Sequence, residues 1–371
     1  MQAPLLTLEP EKFQSVIGGK PTALFVLRNA RGMVACITNY GAKIQQLLVP
    51  DLMGGLSDVV LGYDSVEAAA NGSPSMGAFI GRYAGRIGDA AFTLNGVRHQ
   101  LSANNGPHCL HGGVRGSRVR VFDAVQLDAA RVEMRCIFAD GEEGFPGTLA
   151  LRLTYSLTEL NELVLEYAAT ALDKPSVASF TTHAFFNLCG STHSALQSGL
   201  SDHEVMIAAD RYLVVNEALV ATGEIASVEH TALDFRRPTL LGSRLGQAAA
   251  GYDSCYRINR PASAGLVLAG LVLAARVTAP AHGQPAFGAS KQVMEVWTTE
   301  PALQFYTGLL AGAPLAGGYG KGGVRYLQQQ SFCLEPQGYP NAPNCPGFAS
   351  SNYLPGQSRA GKTVYRFSHS A

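Results

Sequence analysis

The chain of 371 residues has little charge and no excess of either sign. Charged residues make up 15% of it, and 28 basic side chains balance 28 acidic ones. Proteins average ~25% charged residues, and a nucleic-acid-binding surface needs a basic excess, so we expect no nucleic-acid partner. The longest apolar run, AGLVLAGLVLAARVTAP, is shorter than the ~20 residues of a membrane-spanning helix and is interrupted by glycine and arginine. We therefore expect no membrane segment.

Paired cysteines and a secretion signal are also missing. The seven cysteines are scattered along the chain without a CxxC pair, which argues against both a disulfide framework and a zinc site. The N-terminal stretch MQAPLLTLEPEKF has no basic region followed by an apolar one, as a signal peptide would. These absences favour a cytoplasmic protein with buried thiols and no bound metal.

Glycine and proline, by contrast, are abundant and divide the chain into short apolar segments. There are 41 glycines and 19 prolines. In RVEMRCIF the apolar side chains fall at every second position from Val132 to Phe138, as in a strand with one buried face. In AFTLNGVRHQL two strand-like segments flank Asn95-Gly96, a pair that favours a type I′ hairpin. The segments predicted as strands include Ala23–Leu27, Met33–Thr38, Lys43–Val49, Phe92–Leu94, Val132–Phe138, Leu149–Leu157, Leu163–Thr170, Met294–Thr298, Gln304–Tyr306 and Thr363–Phe367.

Helical patterns are few, and Pro10–Phe13 is the clearest candidate for a single turn. Many short strands with turn-rich connections indicate a sandwich or barrel instead of alternating strands and helices. No linker-like change of composition divides the chain, so we predict one all-β domain over residues 1–371. The Gly-rich stretch 311–323 contains GxGxxG, but a strand-like segment follows it. A dinucleotide site would need a helix there, so we expect a surface loop.

Several polar side chains lie in apolar or turn-rich segments, where each needs a structural or a functional reason. His108 and His111 share the turn-rich loop NNGPHCLHGG, which has no acidic residue to complete a metal site, although loops often carry function. His183 lies in the aromatic segment SFTTHAFFNLCG, where a single histidine is most simply a buried, hydrogen-bonded side chain. Glu335 ends an apolar segment before Pro336, and burying an unpaired carboxylate is costly. Structural and catalytic roles both remain open for these residues.

Four motifs, in order along the chain, resemble those of the aldose 1-epimerases, or galactose mutarotases. They are GRYAGRI with NNGPHCLHGG, then THAFFNLCG, QFYTG and FCLEPQGYPNAPNCPGF. ITNYGAKIQQLLVPD and DVVLGYDSVE also fit, so the resemblance runs from about Thr22 to about Phe367. It implies a large antiparallel β-sandwich of galactose-mutarotase type with few short helices, an open cleft for a free aldose, and no cofactor.

The resemblance also implies roles for six residues. Glu335 matches the catalytic base and His183 the catalytic acid, which together would open and reclose the sugar ring. We expect each charge to favour the other and to raise the pKa of His183 toward neutrality. The residues that match sugar-binding positions are Arg86, His111, Asp253 and Gln304.

Two positions depart from the common family motifs. Gly85 stands where asparagine is usual before Arg86, and Ser254 stands where histidine is usual after Asp253. Both neighbour sugar-binding positions, so we expect weaker discrimination among aldoses. Four later histidines, at positions 193, 203, 230 and 282, match nothing catalytic, and we expect them at the surface.

Two alternatives belong to other functional classes. One is a sugar-binding sandwich without turnover, which would need Arg86 and Asp253 but not the pair of Glu335 and His183. The other is an epimerase of the same fold that acts on a phosphorylated sugar or a non-sugar lactol. A phosphorylated substrate would need clustered cations, and we expect the cluster of Arg115, Arg118 and Arg120 to be solvated and structural instead. We expect a monomer or a homodimer.

Overall fold

The structure is a computed structural model that describes residues 7–51, 55–197, 199–245, 251–260, 270–280, 291–308 and 314–370. Within these ranges it contains two short helices, α1 (Val66–Asn71) and α2 (His193–Leu196), and single 3₁₀ turns such as Pro10–Phe13. Thr192 caps α2 and Ser65 caps α1, each by accepting a backbone N–H with its side chain. None of the described helices is long and apolar enough to span a membrane.

Strands dominate the described residues. In chain order they are β1 (Ser15–Ile17), β2 (Lys20–Thr22), β3 (Leu24–Arg28), β4 (Val34–Thr38), β5 (Lys43–Pro50), β6 (Leu56–Asp58), β7 (Phe79–Ile80), β8 (Arg86–Ile87), β9 (Ala91–Leu94), β10 (Val97–Gln100), β11 (Cys109–Leu110), β12 (Asp123–Asp128), β13 (Arg131–Phe138), β14 (Leu149–Thr158), β15 (Glu162–Ala171), β16 (Ser176–Val177), β17 (Thr181–Thr182), β18 (Glu204–Ile207), β19 (Arg211–Val215), β20 (Ala221–Ser227), β21 (Thr239–Leu240), β22 (Asp253–Arg257), β23 (Val272–Pro280), β24 (Lys291–Thr298), β25 (Ala302–Tyr306), β26 (Pro314–Tyr319), β27 (Arg325–Leu327), β28 (Cys333–Gln337), β29 (Asn352–Tyr353) and β30 (Ser358–Ser370). The predicted all-β class and each of the predicted strands are confirmed.

Three large antiparallel sheets build the sandwich. The widest has nine strands in the order β12-β13-β14-β15-β30-β24-β23-β18-β21. A five-stranded sheet, β20-β19-β22-β25-β28, and a four-stranded sheet, β3-β4-β5-β6, supply the facing residues of the main core. The residues of this core come from positions as far apart as Leu27 and Phe367.

The alternation of side chains along each strand explains the layers. On β13 the side chains of Val132, Met134 and Phe138 are buried in the main core, whereas Ile137 between them is 58% exposed. The predicted hairpin at Asn95-Gly96 joins β9 to β10, and Leu94 lies opposite Val97. Both turn residues have positive φ, as a type I′ turn requires.

Two expectations about surface segments were wrong. In the Gly-rich stretch, Pro314–Tyr319 forms β26 and pairs with β27, while residues 311–313 lie outside the described ranges. Lys321 of the same stretch is buried, and its ammonium donates to Asp58 Oδ2 at 2.6 Å and to two backbone carbonyls. This buried ion pair holds the hairpin of β26 and β27 against the sandwich.

His203 is also buried, not exposed as expected. Its Nε2 accepts the N–H of Leu188 at 3.0 Å, and its ring meets that of Phe332 edge-on. Because Nε2 accepts, the ring proton is on Nδ1, and burial keeps the ring uncharged by lowering the pKa of His203 to about 3. His193 and His230 are exposed as expected, and His282 lies outside the described residues.

The cluster of Arg115, Arg118 and Arg120 differs in one respect from the prediction that it is solvated. Arg118 is buried, with its guanidinium donating to the carbonyl of Gly113, whereas Arg115 and Arg120 form ion pairs with Glu143 and Glu142. The cluster is therefore structural as expected, although Arg118 is not solvated.

Lys43, the first residue of β5, is fully buried without a carboxylate partner in the described residues. Its Nζ donates to the carbonyl of Ala69 at 2.9 Å and lies 4.8 Å from the centre of the Tyr40 ring. Burial, reinforced by the nearby charge of Arg118, lowers the pKa of Lys43 to about 7. An unfolded lysine titrates near 10.5, so the unfolded chain binds more protons between about pH 7 and pH 10.5. Stability should therefore rise with pH in that window.

We predict that Lys43→Met is more stable than the wild type at neutral pH and below. The difference in free energy of unfolding should shrink by as much as ~1.4 kcal/mol per pH unit between about pH 7 and pH 10.5. Denaturant unfolding of both proteins across this range measures it. Lys291→Met, which removes an exposed lysine, is the matched control and should show no such slope. If the difference in free energy of unfolding between Lys43→Met and the wild type did not change with pH, the lowered pKa of Lys43 would be contradicted.

Candidate active site

Three of the predicted site residues lie on neighbouring strands of the five-stranded sheet. Asp253 is in β22, Gln304 in β25 and Glu335 in β28. Gln304 lies opposite Cys255 on one side and Glu335 on the other, while Asp253 lies opposite Tyr306. The residues between them on each strand point into the main core. Strand alternation thus places all three polar side chains on the opposite face, over which a cleft opens.

The other three residues reach the cleft from connecting segments. His183 follows β17 directly, and its backbone N–H and C=O pair with Ala78 and Gly77. Arg86 begins β8, opposite Leu110 of β11. His111 follows β11 with φ of 54°, a left-handed turn that directs the chain out of the strand.

All six predicted residues line one cavity of about 270 Å³. Pockets for small ligands are usually ~300–1,000 Å³, so this one suits a single small molecule. Lining residues without a predicted role include Ser73, Ser75, Phe185, Leu315, Gln328, Gln337 and Pro340.

Glu335 and His183 face each other at the bottom of this cavity. Nε2 of His183 lies 3.6 Å from Oε1 of Glu335, and the two residues are 8% and 2% exposed. The imidazole stacks on the Phe185 ring, with centroids 4.9 Å apart and planes 12° apart. The carboxyl group and the imidazole are thereby held in a fixed orientation away from bulk water.

The expectation that this pair would raise the pKa of His183 was wrong. Burial lowers the pKa of His183 to about 4. Burial also raises the pKa of Glu335 well above its usual range, and the charge of Asp253 adds to that effect. Removing charges from water therefore outweighs the mutual attraction, and the free cleft favours an uncharged pair that holds one proton on Glu335.

Arg86, Asp253 and Gln304 form a connected polar group beside the pair. Gln304 donates its amide to Oδ1 of Asp253 at 2.5 Å, and a guanidinium nitrogen of Arg86 lies 3.8 Å from Oδ2. Nε of Arg86 donates to Asn105, which orients the planar fork. Burial raises the pKa of Asp253, and the charge of Arg86 opposes that effect. Such a group offers both donors and acceptors to hydroxyl groups.

His111 has a hydrogen bond that assigns its tautomer. Its Nδ1 accepts the N–H of Gly85 at 3.2 Å, so the ring proton is on Nε2. Burial, together with the neighbouring charges of His183 and Arg118, lowers the pKa of His111 well below its usual range. The imidazole is therefore neutral near pH 7 and can donate from Nε2.

The two departures from the family motifs have different positions. Gly85 lines the cleft, with φ of 77°, and a Cβ added there would lie 2.9 Å from Cβ of Pro340. Ser254 lies opposite Phe305, a core residue, so its side chain points away from Asp253 and the cleft. Strand alternation therefore turns the Ser254 side chain to the other face, and of these two positions Gly85 is the one that lies beside the cleft.

Of the aromatic side chains, Phe185 and Tyr306 line the cleft, whereas Trp297 lines a separate depression on the nine-stranded sheet. Gln337 and Cys333 were missed. Both lie two residues from Glu335 on β28, so strand periodicity could have indicated that they share its face.

The described residues contain one group of three side chains close enough to hold a metal ion, namely His183, Cys333 and Glu335. The candidate pair from the sequence, His108 and His111, is not such a group. Nδ1 of His108 accepts the N–H of Asp89, so that histidine supports the loop instead.

Comparison with known proteins identifies the family to which the chain belongs. The family model described as aldose 1-epimerase matches residues 23–366. Galactose mutarotase of Bos taurus is 38% identical over 337 residues, which is 90% of each chain, and aldose 1-epimerase of Escherichia coli K12 is 32% identical over 94% of this chain and 96% of its own. The crystal structure of an aldose epimerase homologue from C. elegans superposes with a TM-score of 0.82 at 26% identity, covering 94% of this chain and all of that one.

A family match over nearly the whole sequence thus accompanies a buried carboxyl group and imidazole in a cleft lined by polar side chains. The chain belongs to the aldose 1-epimerase family and is an isomerase of aldose anomers.

Proposed function

We propose that Glu335 and His183 interconvert the α and β anomers of a free aldose by opening and reclosing its ring. The observation that carries this proposal is their geometry, with Nε2 and Oε1 3.6 Å apart at the bottom of the cavity. A carboxylate and an imidazole on one anomeric centre can transfer both protons that the reaction moves.

The proton transfers balance without a cofactor. Glu335 accepts the proton of the anomeric hydroxyl while Nε2 of His183 gives a proton to the ring oxygen. The bond between the anomeric carbon and the ring oxygen breaks, and the aldehyde C=O forms. After rotation about the bond to the neighbouring carbon, the aldehyde closes on its other face and both transfers reverse. The pair therefore holds one proton throughout, on His183 with the closed sugar and on Glu335 with the open one.

Burial makes one of these two protonation states of the pair more favourable than the other. Uncharged Glu335 and His183 are the arrangement that burial favours, and they are also the arrangement beside the open-chain sugar. The closed sugar needs the ionised arrangement, which its anomeric hydroxyl and ring oxygen can hydrogen-bond directly. Two states that differ by one proton position can then interconvert without exchange with water.

We further propose that Arg86, His111, Asp253 and Gln304 bind the sugar hydroxyls, and that the substrate is galactose or a similar free aldose. Support comes from their position around the cavity and from the name galactose mutarotase carried by relatives. A phosphorylated substrate is disfavoured because the nearest cluster of arginines is engaged with Glu142, Glu143 and a backbone carbonyl.

We also propose a cytoplasmic location, a monomer or homodimer, and no nucleic-acid partner. The support for location is that six of the seven cysteines are buried and that none is in a disulfide. The balanced charge of the chain supports the absence of a nucleic-acid partner.

Removing either catalytic group should abolish turnover without unfolding the protein. We predict that Glu335→Gln and His183→Asn each lower kcat by ~10²-fold or more and change KM little, because each replaces a proton-transfer group by a polar amide that is no larger. Polarimetry on freshly dissolved α-galactose measures the rate. Glu224→Gln and His193→Asn, at exposed positions, are the matched controls. A variant that keeps more than about a tenth of the wild-type rate would exclude that residue from proton transfer.

The pH profile should follow the single proton that the pair holds. Protonation of His183 beside neutral Glu335, at a pKa of about 4, should produce the acid limb. Loss of the proton from Glu335, whose pKa is raised by burial, should produce the alkaline limb. We predict a plateau of kcat/KM between these limbs, measured after subtraction of the spontaneous rate. A maximum confined below about pH 5 would show that the active pair has a different proton content.

Gly85 should affect substrate preference, whereas Ser254 should not. Asparagine at position 85 tolerates positive φ, and its amide would add hydrogen-bonding groups beside Arg86 once Pro340 shifts slightly. We predict that Gly85→Asn changes the ratio of kcat/KM between the two best aldoses by about fivefold, the factor of a ~1 kcal/mol hydrogen bond. Ser254→His, on the opposite face, is the control and should leave the ratio unchanged. An unchanged ratio in folded Gly85→Asn would contradict the prediction.

A further inference from the structure

One strand contacts both nitrogens of the His183 imidazole. Cys333 and Glu335 are two residues apart in β28, so both side chains point to the same face. Sγ of Cys333 lies 3.4 Å from Nδ1, while Oε1 of Glu335 lies 3.6 Å from Nε2. The ring plane is held by its stack on Phe185. The imidazole therefore has a sulfur on one side and a carboxyl group on the other.

The sulfur is a neutral thiol with no competing partner among the described residues. Cys333 is 0% exposed, and Nδ1 of His183 is the atom within hydrogen-bonding distance of its Sγ. Burial and the charge of Glu335 raise the pKa of Cys333 well above its usual range. A thiol is a weak donor and a weak acceptor, so its bond to the ring can run in either direction.

His183 can exchange a proton at Nε2 only if its hydrogen bond with Cys333 has one particular direction. Nε2 must give a proton to the ring oxygen and later take it back, so the neutral ring must carry its own proton on Nδ1 and a lone pair on Nε2. If the thiol donated to Nδ1, the neutral ring would hold its proton on Nε2 and could not take one back there. The proton exchange therefore needs an acceptor at Nδ1.

We propose that Cys333 is a positioning residue whose sulfur accepts the Nδ1 proton of His183 and leaves Nε2 as the nitrogen that exchanges the proton. This inference rests on the proposed role of His183 as the acid. Cys333 touches neither the sugar nor a transferred proton, and it acts only through the ring.

The weakness of sulfur as an acceptor suits this position. A carboxylate in place of the thiol would bind Nδ1–H strongly and hold the ring as imidazolium, and it would also repel Glu335 on the same strand face. A neutral sulfur orients the ring without strongly favouring its charged state. Both proton positions that the reaction visits then stay accessible.

The direct test is the protonation of the ring in the wild-type protein. Selective ¹⁵N labelling of histidine, with the His183 signal assigned by its loss in His183→Asn, distinguishes the two neutral tautomers at pH 7. We expect the proton on Nδ1 in the wild type and a mixture of tautomers in Cys333→Ala. A wild-type ring with its proton on Nε2 would overturn the proposal, and this result requires no Cys333 variant to fold.

Kinetics supply the second readout. We expect Cys333→Ala to lower kcat by about three- to tenfold with KM changed less than about twofold, the range for loss of one hydrogen bond. Cys333→Ser, whose hydroxyl oxygen can also accept, should recover most of the loss. Cys136→Ala removes an equally sized buried thiol from the main core and is the control for packing, with kcat expected to be unchanged.

Different results would refute the role of His183 and the role of Cys333. Full activity of His183→Asn would refute the proposed acid whatever tautomer the ring shows. If His183→Asn is inactive but Cys333→Ala has wild-type kcat and an unchanged tautomer, His183 remains the acid and the role of Cys333 is refuted.

Discussion

The two-residue repeat of β22, β25 and β28 is the constraint on which the site depends. Each strand alternates a core residue, such as Phe305 or Leu334, with a residue of the cleft. Packing of the core side chains against the nine-stranded sheet fixes the register of the strands, and the register then fixes where Glu335 and Asp253 point. A shift by one residue would place both carboxyl groups in the core, where burial without partners is prohibitive. The same strand register therefore determines both the packing of the core and the positions of the carboxyl groups in the cleft.

Burial in the cleft changes the pKa values of both Glu335 and His183. In water a carboxyl group and an imidazole would be charged independently at different pH values. In the cleft both charged forms are disfavoured, so the pair keeps one proton over a wide pH range. Proton exchange between two fixed groups suits a reaction that takes up and releases no net proton.

The sequence predicted the strands well, and the six candidate residues it indicated lie around one cavity, for identifiable reasons. Period-2 patterns such as RVEMRCIF mark strands with one buried face, and ordered motifs supplied the positions of Glu335 and His183. Prediction from the sequence failed for residues whose burial depends on contacts with distant parts of the chain. Lys321 looked like part of a loop because Asp58, its buried partner, is far away in the chain, and His203 looked exposed because the accepting bond from Leu188 is not visible in a pattern. The pKa of His183 was misjudged because burial depends on the whole fold.

Glu335 and His183 are proposed to act as one unit that shares a proton, and a double-variant cycle distinguishes this from independent action. Turnover is measured for Glu335→Gln, His183→Asn and the two combined, with folding of each verified by thermal unfolding. If the groups act as a unit, the combined variant should be about as slow as the slower single variant, since removal of one partner already disables the transfer. If the two losses multiply instead, each residue contributes independently and the shared-proton account is wrong.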